Sequence, residues 1–380
     1  MENERSLQIG GRLLRIAAAG AISSPRVFLP WVSQVSRRVV LLLVLGGALL
    51  SGTAASAESL TFSTAPGGVA IVGSGTAFTG TFGNMNGLGA GIVPAGLTAI
   101  PMSNGTLYYT PINMKVGALL STDYVTAYVS TNVHSAALIG YGCPYPLSCS
   151  ASGNYSVLST SSGSPSNIIA APGVANNTTV TIGVAFFLPD NNGGSAYTGT
   201  SNVVITFKVI NNTFPTFLNA TVTLTLTTTV QSAVQLTLST ATGGATINPA
   251  SDFNLAFGNV NGLGIGPAAG FTTTSVAGGM IYHTPYLLNP AFSDFTSTTS
   301  TIEVSLSTNF AHPAVLGLED SGASGGPYTA ISATGTTITT SAADRSSITR
   351  YLGLFVSNVN GATAYNGADS ATLTFTLTVP

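Results

Sequence analysis

From residue 58 onward, apolar side chains recur at every second position, in short runs broken by Gly, Pro and Asn. Val125, Ala127, Val129, Thr131 and Val133 alternate with residues that are polar or, at Tyr128, amphipathic. Period two with one apolar face predicts a strand of an antiparallel sheet packed on one side. The same alternation returns at Ile302, Val304, Leu306, Thr308 and Phe310, so the pattern is laid down twice.

The repetition is sharpest at a turn. Phe82-Gly83-Asn84-Met85-Asn86-Gly87-Leu88-Gly89 reappears as Phe257-Gly258-Asn259-Val260-Asn261-Gly262-Leu263-Gly264, seven of eight residues being identical at a displacement of 175. Around it, Leu60 to Gly68 matches Leu236 to Gly244, each an opening strand closed by Gly-Gly. Phe78, Gly80 and Phe82 match Phe253, Leu255 and Phe257. Tyr108-Tyr109-Thr110-Pro111 answers Tyr282-His283-Thr284-Pro285, and a proline there predicts an edge strand or a strand's end. Ile182-Gly183-Val184 matches Leu352-Gly353-Leu354. Ala196-Tyr197-Thr198-Gly199 then matches Ala364-Tyr365-Asn366-Gly367, and each leads to a final alternating run: Ile205, Phe207, Val209 and Leu373, Phe375, Leu377.

Short strands separated by turn signals, without an amphipathic helix, predict an all-β protein. The expected architecture is two tandem, internally duplicated antiparallel β-sandwich (Ig-like) domains, residues 58–230 and 231–380, after an export segment at 1–57. A closed barrel is the nearest rival. One stretch breaks the symmetry. From Val222 apolar residues hold even positions through Leu224, Leu226, Val230, Val234, Leu236 and Leu238, without Gly or Pro between Thr221 and Thr240. The last strand of the first unit is therefore expected to run almost directly into the first of the second, through a stiff junction near Thr229 to Ala233.

Arg37-Arg38 precede an apolar run from Val39 to Leu50, followed by small residues ending Ala55-Ser56-Ala57. This predicts a secretory signal cleaved after Ala57, the run being shorter than the roughly 20 residues that span a bilayer. Six arginines precede the cut. Beyond it stand only Lys115, Lys208, Arg345 and Arg350 against ten carboxylates, a net charge of about −6. Four scattered cations cannot displace the counterions of a nucleic acid, so that class is excluded. Charged residues make up 6% of the chain against 44% hydrophobic, so the surface must be polar through hydroxyls and amides. Strands without lysine lack the usual guard against edge-to-edge pairing.

Candidate chemistry is sparse. Cys143 and Cys149, in Cys-Pro-Tyr-Pro-Leu-Ser-Cys, are expected to form a disulfide across a small loop, since zinc would need further Cys or His nearby. His134 and His312 fall one residue out of step when Gly140 is set against Gly317, which predicts rings on opposite faces and no shared ligand. Gly322-Ala323-Ser324-Gly325-Gly326 spells a nucleophile elbow, but no His follows Ser324 to serve as base. Glu319-Asp320 is the only close carboxylate pair in the second unit, and solvated surface charge accounts for it better than glycoside hydrolysis does. Asp190-Asn191-Asn192-Gly193-Gly194 reads as an Asn-Gly turn rather than a calcium loop. Tyr108, Tyr109, Tyr282 and Tyr286 could form an aromatic platform for sugar rings, although burial at a sheet margin explains them equally well. No catalytic group, cofactor site or metal site is assigned.

The Thr-rich, helix-poor units, with Tyr-x-Gly before a last alternating strand, loosely resemble bacterial secreted surface and fimbrial-type β-sandwich proteins. That resemblance implies a non-enzymatic structural or adhesive protein of the cell surface or extracellular matrix. Homo-oligomers or filaments through edge strands are the partners it suggests, with glycans as the alternative. Two features depart from chaperone-assembled pilins: no spare donor strand precedes Leu60, and no penultimate Tyr stands before Pro380.

Overall fold

In the computed structural model the described residues are 58–91, 93–117, 123–134, 138–145, 154–170, 177–210, 220–249, 253–360 and 364–380. The expected signal with its cleavage site at Ala57, and Cys149, lie outside them. The first half runs through twelve strands: β1 (Ser59–Thr64), β2 (Ile71–Ser74), β3 (Ala77–Met85), β4 (Thr98–Met102), β5 (Gly105–Gly117), β6 (Tyr124–Asn132), β7 (Ile139–Cys143), β8 (Ser156–Val157), β9 (Ser166–Ile169), β10 (Thr178–Pro189), β11 (Gly199–Ile210) and β12 (Thr221–Val230). The second half has nine: β13 (Ala233–Thr240), β14 (Thr272–Val276), β15 (Gly279–Ser293), β16 (Thr299–Thr308), β17 (Leu316–Ser321), β18 (Thr329–Ala330), β19 (Thr336–Ala343), β20 (Ile348–Ser357) and β21 (Thr372–Thr378). Among the described residues the one helical element is the 3-10 turn Gly193–Ser195. The fold is all-β, built from several sheets and without a closed barrel.

Each sheet draws its strands from one half of the chain. In the first half, β1-β5-β10-β7-β8, with β4 also on β5, faces β2-β3-β12-β11-β6-β9. Alternation puts one face of each sheet inward, and the two faces close on a single core. Phe62 of β1 meets Phe207 of β11 with ring centroids 4.8 Å apart, and Phe82 of β3 meets Phe186 of β10 at 4.7 Å. In the second half β13-β15-β20-β17-β18, with β14 on β15, is opposed by β19-β16-β21 alone.

The repeat holds in the registers. Val125, Ala127 and Val129 of β6 lie opposite Val209, Phe207 and Ile205 of β11. Ile302, Val304 and Leu306 of β16 lie opposite Leu377, Phe375 and Leu373 of β21. Threonine hydroxyls repeat as well. Thr64 Oγ1 accepts from Ile71 N and Thr240 Oγ1 from Ile247 N, each at 2.9 Å. Thr110 Oγ1 accepts from Val69 N at 2.9 Å and Thr284 Oγ1 from Ala245 N at 2.7 Å.

The repeated proline does not mark an edge. Pro111 and Pro285 sit inside β5 and β15, which are flanked by strands on both sides. On one flank, however, β4 pairs with residues 105–109 and β1 with 112–117, leaving Thr110 and Pro111 between two partners. The second half leaves Thr284 and Pro285 between β14 and β13 in the same way. The missing N–H of each proline falls where the ladder changes partner, so no bond is lost. The gap is covered by the Gly-Gly turn, packed so tightly that a Cβ on Gly68 would stand 2.2 Å from Pro111 O, and one on Gly244 2.4 Å from Pro285 O.

Val230 and Ala233 are separated by Gln231 and Ser232 alone, so the strand that completes the first half leads straight into β13. Residues 57–380 form one compact unit.

Candidate functional site

The halves differ at one place in their sheets. In the first, β12 lies between β3, to which it is parallel, and β11, to which it is antiparallel. Its even positions, Val222, Leu224, Leu226, Thr228 and Val230, are buried, and they seal the core against Ile205, Phe207 and Val209, each 0% exposed.

No described strand takes that place in the second half. Among the described residues β21 pairs with β16 on one side and with no strand on the other. Residues 253–260, the counterpart of β3, form no strand, and only an isolated bridge joins Asn248 to Asn254. The cause is physical: an extended segment whose N–H and C=O groups lack a ladder gains nothing from being straight. Leu373, Phe375 and Leu377 are left half-buried where their counterparts are sealed, and Leu236 and Leu238 are likewise half-buried where Leu60 and Phe62 are buried. The result is an open groove of about 1830 Å³, walled by Leu255 and Phe257 on one side and Leu373 and Phe375 on the other, with Leu236 and Tyr286 among the residues lining it. Full burial of one such side chain stabilises by roughly 1.5–3 kcal/mol. A row of them held half in water is a large unused driving force.

β21 carries no charge: its sequence is Thr-Leu-Thr-Phe-Thr-Leu-Thr. Edges that must stay unpaired usually carry Lys, Pro or a bulge. Thr and the apolar residues of β21 instead favour a pleated partner.

The tyrosines proposed for sugar stacking are placed otherwise. Tyr108, Tyr282 and Tyr286 are buried. Tyr108 Oη donates to Asn86 O at 2.8 Å and accepts from Asn86 N at 3.3 Å. Tyr282 Oη donates to Asn261 O at 2.8 Å and accepts from Asn261 N at 3.1 Å. The two tyrosines thus pin the duplicated turn, and neither ring face is open to a sugar. Tyr286 Oη donates to Asp320 Oδ1 at 3.0 Å. Tyr109 is half-buried, its ring 5.2 Å from that of Tyr155. Cys143 is buried at the end of β7.

Two readings of the sequence are corrected. Asp320 is not solvated: it is buried and paired with Arg350 as well as Tyr286. His134 and His312 do share a position, since each ring stacks on the equivalent tyrosine, on Tyr197 at 3.9 Å and on Tyr365 at 3.6 Å. His312 Nδ1 also lies 3.0 Å from Asp369 Oδ2. The backbone N–H of Ala311 and then the His312 ring hold the Asp369 carboxyl down to about 2.

The Asp190 to Gly194 turn reaches the other half. Asn192 Nδ2 donates to Phe292 O at 2.8 Å, its Oδ1 accepts from Phe295 N at 3.2 Å, and Gly193 N donates to Phe295 O at 2.8 Å. Arg345 Nε donates to Asp190 Oδ2 at 2.5 Å. Asp294, with φ of 62° and 5% exposure, sits in this junction, and neither of its carboxylate oxygens has a well-formed hydrogen bond. Burial first, and the Asp190 charge second, push its carboxyl up to about 7, against the pull of Tyr197 N–H and the Ser293 hydroxyl. Long-range side-chain contacts of this kind leave no periodic trace in a sequence.

Among the described residues no three His, Cys, Asp or Glu side chains converge to hold a metal, and no helix is long and apolar enough to cross a membrane. No family model and no curated protein matches the chain. Solved structures similar to it include the CupB6 tip adhesin of Pseudomonas aeruginosa, at 9% identity over 85% of this chain and 95% of that one, with a TM-score of 0.27. The chaperone-tip subunit complex of the Csu pili of Acinetobacter baumannii is matched at 10% identity over 84% and 99%, with a TM-score of 0.32. A family 123 glycoside hydrolase of Clostridium perfringens is matched at 10% over 46% of this chain, which spans 27% of that enzyme, with a TM-score of 0.24. Tip adhesins and pilin subunits thus recur among the neighbours. Scores this low establish no common fold and carry no activity across.

Proposed function

We propose that the chain is a non-enzymatic structural or adhesive protein of a bacterial cell surface or extracellular matrix, exported through residues 1–57 and joined to other subunits by strand addition. The observation that supports this reading is the uncharged side of β21, against which no strand of the described residues is paired. An uncharged edge and a row of half-buried Leu and Phe side chains are costly in a protein that works alone, and useful in one that is completed on assembly. The near-neutral, hydroxyl-rich exterior suits close packing between subunits, because little charge has to be desolvated.

Expression of the full 380-residue chain in a bacterium, with fractionation and immunogold microscopy, tests the reading. Label on the outer surface, in particles larger than one chain, is the expected result. A chain retained in the cytoplasm, or a lone secreted monomer with hydrolytic activity, would overturn it.

A further inference from the structure

The outer face of the larger sheet is also built twice, with its chemistry changed. In the first half Ala185 of β10 lies between Tyr109 of β5 and Tyr141 of β7, and Phe187 between Leu107 and Ile139. In the second half Gly353 of β20 lies between His283 of β15 and Glu319 of β17, and Phe355 between Ile281 and Gly317. Val157 pairs with Tyr141 and Ala330 with Glu319, which sets Tyr155 and Tyr328 at matching places two residues earlier. The rings agree, Tyr155 lying 5.2 Å from Tyr109 and Tyr328 5.3 Å from His283. On the other flank Ile100 stands opposite Leu107, and Thr274 opposite Ile281.

In the first half Ile100, Ile139 and Tyr141 close this face into an apolar cluster around Leu107 and Phe187. Thr274, Gly317 and Glu319, their counterparts, leave it open. A Cβ on Gly317 would meet only Phe355 Cβ, 4.0 Å away, so the place that Ile139 fills is vacant. The result is a pocket of about 510 Å³, floored by Ile281 and Phe355, walled by Pro327 and Tyr328, and given polar side chains by Thr274 and Glu319. Small-molecule sites have this size and this mixture of apolar floor and few polar groups. Alternation turns it away from the groove, because Tyr282, Leu318 and Leu354 point into the core and their neighbours point out.

The polar groups define the ligand. Thr274 is engaged, its hydroxyl 3.0 Å from His283 Nε2. His283 is buried, and burial holds its ring below the usual imidazole range, so it brings no positive charge to the pocket at neutral pH. Arg350 is turned to Asp320. Among the described residues Glu319 forms no ion pair and no side-chain hydrogen bond. It is half-buried, and the loss of water pushes its carboxyl up. A partly dehydrated carboxylate gains most from a cation that donates to it. Aromatic rings beside it attract the same charge. A sugar would need several donors and acceptors where one carboxylate is free.

We infer that this pocket binds a small alkylammonium group, the ammonium on the Glu319 carboxylate and the hydrocarbon part against Ile281, Phe355 and Tyr328.

The test uses the full-length secreted protein with labelled isoleucine methyl groups, and follows Ile281 by NMR as n-pentylammonium, 1-pentanol or methyl glucoside is added. Pentylammonium should bind with a Kd on the order of a millimolar, and 1-pentanol at least about tenfold more weakly. Glu319→Gln keeps the shape and should bring pentylammonium down to the level of pentanol. Glu303→Gln, the same change of charge on β16 of the opposing sheet, should leave binding unchanged. Gly317→Ile with Glu319→Tyr gives this face the residues that the first half carries there, and should abolish binding of both. Equal affinity for pentylammonium and pentanol, equal losses in Glu319→Gln and Glu303→Gln, a preference for the glucoside, or an unmoved Ile281 signal would each overturn the inference.

Discussion

Tyr108 exchanges two hydrogen bonds with the backbone of Asn86 from a buried position, and Tyr282 repeats the exchange with Asn261. In both halves the longest strand thereby holds the turn that the sequence repeats most exactly. Tyr108→Phe keeps the ring but strands a partly buried N–H and C=O, which costs about 1–3 kcal/mol. Chemical denaturation should show that loss, and no change in stability would mean that the turn holds itself.

Matched truncations should reveal the difference between the halves. Ile205→Ala removes a sealed side chain and is expected to cost about 2–5 kcal/mol. Leu373→Ala, at the equivalent place, removes one already half in water and should cost less than half as much in the isolated chain. Equal losses by calorimetry would mean that the second core is as closed as the first.

The junction carries a pH dependence of definite sign. Asp294 binds its proton more tightly folded than unfolded, with a folded value of about 7 against 3.8. Its stabilising contribution is therefore full below about pH 4, and is lost as pH rises through 7. Asp294→Asn should raise stability at pH 8 and leave it nearly unchanged at pH 4. A gain of the same size at both pH values would refute the assignment.

Asn192 is the polar contact between the halves that substitution isolates most cleanly. Asn192→Ala deletes its bonds to Phe292 O and Phe295 N, with an expected loss of roughly 1–3 kcal/mol. Small-angle scattering should show a wider spread of shapes. An unchanged profile with unchanged melting would make the contact incidental.

Much of the architecture was legible because it rests on short-range rules. Alternation located β6, β11, β16 and β21, and Asn-Gly pairs located the repeated turn. The tail from Val222 to Leu238 showed that the halves differ, but not that a groove lined by Leu373 and Phe375 opens in the second, since that depends on how strands distant in sequence are arranged. Pro111 and Pro285 misled for a related reason. Whether a proline interrupts a sheet depends on which strands lie beside it, and β1, which takes over there from the adjoining β4, comes from the far start of the first half. The shared setting of His134 and His312 was hidden because setting Gly140 against Gly317 puts them one residue out of step, while their stacking partners, Tyr197 and Tyr365, match in the repeat.

The two-residue passage from β12 to β13 also bears on mechanics. A pull on the second half reaches the first along the axis of a strand clamped between β3 and β11. Its ladder bonds are then loaded together in shear instead of being peeled one after another. Tension between the halves must drag β12 lengthwise out of a sealed core before the first half gives way.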